Sequence, residues 1–173
     1  TAALALGWLR DAGVRFEASA DWQENSSEPC DTGSPVAQLA LAFGAVDFSA
    51  VDPLWPDKTS PAAARYACTR AAVLARGRRC LEALHGRPEK VVFVVSHSAF
   101  LRVGVVGWWF SNGDYRVFEF EGDEVRQDEY GAPRRVVRQH EATVAGGLGL
   151  SWTHRVELGS DLPDEDAGGA AEQ

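Results

Sequence analysis

The sequence has no apolar run near the roughly 18–20 residues that a bilayer-spanning helix requires. Its nearest candidate, Val103 to Phe110, is too short, and Gly104 and Gly107 within it suggest close packing between helices. Cysteine is scarce. Cys30, Cys68 and Cys80 are the only three, and no two have metal-ligand spacing. That pattern argues against a disulfide-stapled secreted scaffold and leads us to expect reduced, mostly buried thiols in a cytoplasmic protein. A basic surplus is also missing: the formal net charge is −8, so nothing points to nucleic acid. No signal peptide is read at the first residues, and no membrane partner is expected.

What is present fits one domain of ordinary size with a real core: 173 residues, 45% hydrophobic and 24% charged. The charge is unevenly spread. Residues 156–173 hold six acids and no Lys or Arg, leaving a body of 19 acids against 17 bases. The division expected is therefore a domain over 1–155 and an acidic, disordered tail over 156–173.

Pattern and punctuation give a coarse order of elements. Residues 1–12 read as a helix stopped by Gly13, and 14–17 as a short strand. Ser34 before Pro35 starts a helix to Phe43, and 46–58 reads as an irregular pocket wall. Ser60-Pro61 opens a helix reaching Leu84 or His85. Its apolar stripe runs through Ala64, Cys68, Ala71, Leu74, Ala75, Leu81 and Leu84. Its arginines (65, 70, 76, 78 and 79) read as a solvated surface. Tyr115 to Glu121 reads as a strand turning at Gly122-Asp123 into a second strand over 124–130, while 134–144 is ambiguous.

The informative stretch is Val91-Val92-Phe93-Val94-Val95-Ser96-His97-Ser98-Ala99-Phe100-Leu101. Five β-branched or aromatic residues read as a strand buried on both faces. Two serines and a histidine follow, then apolar residues at helical spacing. A histidine at a strand-to-helix junction can touch an anion held beyond the strand's carboxyl end. It can equally cap the helix or fill a gap in the core.

The wording of that stretch resembles the second-histidine motif of the histidine phosphatase superfamily, in its phosphoglycerate-mutase-like branch. Trp22-Gln23-Glu24-Asn25, with Pro29-Cys30-Asp31-Thr32-Gly33-Ser34, is similar to the family's acidic loop. Gly146-Gly147-Leu148-Gly149-Leu150-Ser151 is similar to a C-terminal feature of fungal members. The resemblance implies a three-layer α/β/α sandwich that lacks its first central strand. It also implies hydrolysis or transfer of a phosphoryl group through a phosphohistidine, with a small phosphate ester as substrate and neither metal nor cofactor. His97 and Glu24 would then be catalytic, His97 on the phosphoryl oxygens and Glu24 as acid and base. Ser98 and Asn25 would bind substrate.

The family's Arg-His-Gly motif, which carries the nucleophile, has no counterpart here. In the family a second phosphate-binding arginine stands just before a Thr-Ala helix start like Thr1-Ala2. The resemblance thus implies a longer parent protein whose N-terminal segment is a partner of this one, with the present segment inactive alone. The bland reading of Glu24 is a solvated loop glutamate. A non-catalytic anion-binding or interaction domain of the same fold is the alternative function. His140, in Val136-Val137-Arg138-Gln139-His140, echoes the nucleophile motif out of register and is expected to be coincidental.

Overall fold

A computed structural model describes residues 1–164. It is a mixed α/β fold with helices and two small sheets. The N-terminal helix divides at Leu6 into α1 (Ala2–Ala5) and α2 (Gly7–Asp11), and Gly13 follows in the left-handed region at φ +83°. β1 (Phe16–Glu17) pairs in parallel with β2 (Val46–Asp47), so the wall expected over 46–58 begins as a strand. α3 (Val36–Ala42) lies between them in sequence. It starts one residue after Pro35, without a side-chain cap from Ser34.

The long helix expected from Ser60 is broken in two. A 3-10 turn covers Pro61–Tyr66, and α4 (Arg70–His85) begins afresh where the Thr69 hydroxyl accepts a hydrogen bond from the Ala72 amide. The core face of α4 is Val73, Leu74, Arg76, Gly77, Cys80 and Leu81. It packs on a π-helical turn, Phe100–Val106, with Phe100, Val103, Val105 and Val106 completing the main core. Burial pushes the Cys80 thiol up to about 12. A second cluster gathers Ala20, Ala63 and Tyr66.

Contact between α4 and the π turn is made by backbone. A Cβ on Gly77 would overlap the Gly104 carbonyl, and one on Gly104 would meet the Phe100 ring at 2.8 Å. Gly77→Ala should therefore destabilise the chain by about 1–3 kcal/mol, the usual range for overpacking. Urea unfolding checks this, and an unchanged midpoint would contradict so close a contact.

The C-terminal hairpin differs from expectation. β3 (Phe118–Gln127) runs through Gly122-Asp123 rather than turning there, because a register shift between Phe120 and Val125 absorbs the extra residues. The turn falls at 128–132, where Asp128 accepts from the Tyr130 and Ala132 amides. The ambiguous stretch supplies the partner strand, β4 (Pro133–Gln139).

The acidic segment expected to be loose from residue 156 is docked as far as 164. The Val156 amide donates to the Gly107 carbonyl, the Gly159 amide to the Val103 carbonyl, and the Arg70 amide to the Pro163 carbonyl. The rest of that expectation, 165–173, lies outside the described residues.

The largest departure concerns residues 91–95. They pair with no strand among the described residues, and Val91 and Phe93 are 72% and 59% exposed. A strand buried on both faces needs neighbours on both edges, and the two sheets formed here supply none.

Candidate functional site

The turn after residues 91–95 brings His97 and the 22–25 loop together. The Ser96 hydroxyl donates to the Trp22 carbonyl at 2.7 Å. One oxygen of Glu24 accepts from the Phe100 amide and its own neighbour's amide, Asn25, both at 2.9 Å. The other accepts from the Ala99 amide at 3.4 Å. Glu24 thus sits half-buried against amides two and three residues beyond His97, and is not a solvated loop glutamate. Among the described residues the exposed His97 ring has no hydrogen bond or ion pair, so it neither caps the turn nor fills the core.

Two buried cations fix this arrangement. Arg76, 1% exposed, donates to the Gln23 carbonyl at 3.0 Å and to Asn25 Oδ1 at 2.7 Å, with its guanidinium 4.0 Å from the centre of the Phe100 ring. Burial pushes it down to about 10. Lys58 donates to the carbonyls of Glu24 at 3.0 Å, Ser26 at 2.7 Å and Asp31 at 2.6 Å, and burial lowers its pKa as well.

Sequence reasoning missed both. Lys58 carried no signal, since a lysine in a polar loop is ordinarily solvated. Arg76 could have been found by drawing the helical stripe through Val73, Gly77 and Cys80, which places it on the inner face. The other arginines form ion pairs: Arg65, in the 3-10 turn, with Asp52, and in α4 Arg70 with Asp164, Arg78 with Asp128 and Arg79 with Asp21.

Of the two expected substrate-binding residues, Asn25 spends its side-chain oxygen on Arg76, and the Ser98 hydroxyl donates to the Phe110 carbonyl at 2.8 Å. Both side chains hold the fold. Gln23 behaves differently: its amide nitrogen and oxygen are buried without a partner among the described residues. Leaving such atoms unsatisfied costs about 1–3 kcal/mol. The remaining histidines are employed elsewhere. His85 stacks edge-on against Phe120 at 5.1 Å, His140 Nδ1 accepts from the Ala142 amide, and His154 stacks on Trp152 at 5.5 Å.

The Gly146–Ser151 motif is folded around Asp114. Its carboxylate accepts from the amides of Tyr115, Leu148 and Leu150 and from the Ser151 hydroxyl. A Cβ on Gly146 would overlap that carboxylate, and one on Gly147 the Tyr115 ring. Burial pushes the Asp114 carboxyl up, but the hydrogen bonds from Leu148, Ser151, Tyr115 and Leu150 hold it below its ordinary 3.8. A depressed acid gives stability that is complete above its unfolded value and is lost as pH falls through the folded one.

Amide exchange of 146–151 should accordingly accelerate below pH of about 3.8. Asp114→Asn should remove that dependence and cost about 1–3 kcal/mol at neutral pH. An acid limb unchanged by the substitution would rule Asp114 out as its origin.

Two clefts, of about 360 and 300 Å³, lie away from His97 and Glu24. The first is formed by α1 and α2 with Phe16 and Val46, the second by Glu119 and residues 138–141. His97 is exposed and lines neither cleft. Among the described residues no three His, Cys, Asp or Glu side chains gather as a metal site would need.

The chain matches no family model, no curated protein and no solved structure. Its fold is that of a mixed α/β protein in which no described helix is long and apolar enough to cross a membrane.

Proposed function

We propose that this chain is the phosphate-holding part of a cytoplasmic phosphomonoesterase or phosphoryl transferase that works through a phosphohistidine. On this reading a longer parent protein completes a three-layer sandwich of the phosphoglycerate-mutase-like type. An N-terminal segment supplies the nucleophilic imidazole, and the present segment alone is inert. One observation carries the reading: the Glu24 carboxylate accepts hydrogen bonds from the Ala99 and Phe100 amides, directly after His97, whose ring has no partner among the described residues.

In that chemistry the supplied imidazole attacks phosphorus as the P–O bond to the leaving alkoxide breaks. His97 hydrogen-bonds the phosphoryl oxygens, and Glu24 delivers a proton to the alkoxide. Water then breaks the N–P bond, with Glu24 accepting its proton. The Glu24 oxygen with the longer, 3.4 Å bond is the one free to carry that proton. Positioning and charge stabilisation supply most of the acceleration, so no metal or cofactor is required.

A second reading, a non-catalytic anion-binding or interaction domain, is favoured by the employment of His85, His140 and His154 elsewhere. Hydrolysis of p-nitrophenyl phosphate by the longer parent and by this segment separates the two. Activity confined to the longer form, lowered by roughly 10²–10³ in kcat by His97→Ala or Glu24→Gln, supports the enzyme. Inactivity of both forms, with phosphate still bound, supports the second reading.

A further inference from the structure

We infer that residues 91–95 are an association strand, through which two copies of this chain pair antiparallel about Phe93. Among the described residues no backbone N–H or C=O of these five residues is hydrogen-bonded. Four of the side chains are exposed large hydrophobics: Val91, Val92, Phe93 and Val95. A five-residue run of β-branched and aromatic residues, without charge, proline or glycine, has the composition of segments that recruit a strand at an open edge. The unmet backbone groups identify the occupant as another strand, since a helix or a small apolar ligand leaves them unpaired.

The sequence identifies which strand. Val91-Val92-Phe93-Val94-Val95 reads the same in both directions. An antiparallel pair centred on Phe93 sets Val91 opposite Val95, Val92 opposite Val94, and Phe93 opposite Phe93. The arrangement is self-complementary, as a two-fold interface demands. Aromatic and β-branched cross-strand pairs are among those that stabilise a ladder. The flanks do not oppose it: the same register sets Lys90 opposite Ser96 and Glu89 opposite His97, so no like charges face each other across the pair. This inference does not rest on the phosphate reading: it concerns the 173-residue chain, whose 91–95 edges a completed sandwich would cover.

Register gives a test that a general stickiness would not pass. In a Cys30→Ser background, which removes the exposed native thiol, Phe93→Cys places two sulfurs at directly opposed positions, with Cβ atoms about 4.5–5.5 Å apart. Val91→Cys places them four residues out of step, more than about 12 Å along the strands.

Mild oxidation of the 173-residue chain should therefore give a disulfide dimer with Phe93→Cys, in at least roughly ten-fold excess over Val91→Cys, the gap being too long for a disulfide. Sedimentation velocity should show a concentration-dependent dimer of the unsubstituted chain. Phe93→Lys should weaken it by roughly ten-fold or more, because like charges then face each other, while the far-UV circular dichroism stays the same. Equal cross-linking at 91 and 93, a monomer at every concentration, or association untouched by Phe93→Lys would each overturn the proposal.

Discussion

Arg76→Ala should unfold the chain more readily than any other single substitution in α4, by about 3–5 kcal/mol. The guanidinium lies at 1% exposure between the Phe100 ring, the Gln23 carbonyl and Asn25 Oδ1. Truncation leaves both oxygens buried without their donor, at about 1–3 kcal/mol each, and adds a cavity beneath the ring. Against this stands the expense of burying a cation, the same effect that lowers its pKa.

A comparison of three variants decides which effect is larger. Arg76→Lys keeps the charge but cannot reproduce the forked geometry, and should recover part of the loss. Arg76→Met keeps much of the stem and should fall between lysine and alanine. Urea unfolding measures all three. A methionine variant as stable as the unsubstituted chain would mean that desolvation cancels the hydrogen bonds.

Lys58→Met should be the second-largest loss, about 2–4 kcal/mol, because one ammonium satisfies the carbonyls of Glu24, Ser26 and Asp31. Methionine retains the apolar stem, so the effect reports the three hydrogen bonds rather than packing. The loss should be regional. Amide exchange should quicken over 24–31 and at Phe100, whose amide depends on Glu24, while the hairpin of β3 and β4 keeps its protection. Uniform acceleration across the chain would show that Lys58 supports the whole fold and not this loop.

How far the sequence revealed the molecule depends on whether a signal was local. Gly13 as a stop and the core face at Phe118 and Phe120 follow from short-range pattern and are found in the structure. The break before α4 was hidden because Ala64, Cys68 and Ala71 continue a helical stripe through it. Only the Thr69 cap, one residue in a run of good helix formers, marked the new start. Gly122-Asp123 reads as a turn, yet a bulge lets the strand pass through it.

Residues 91–95 show the limit most clearly. Composition specifies a strand, but a ladder needs a second set of backbone groups that these residues cannot provide themselves. The approach of Glu24 to the turn after His97 joins positions more than seventy residues apart. Periodicity says nothing about such a pair, and only the resemblance of the two motifs suggested it. Of the buried cations behind it, Lys58 left no local sign, whereas Arg76 shares the helical face of Val73, Gly77 and Cys80.

The shared position of His97 and Glu24 is tested most directly by nuclear magnetic resonance of the imidazole during titration with inorganic phosphate. Carbon and proton shifts of the His97 ring should move in step with the amides of Asn25, Ala99 and Phe100, and Glu24→Gln should alter the same titration. Ring shifts that stay fixed, or that move while those amides do not, would contradict a common phosphate site.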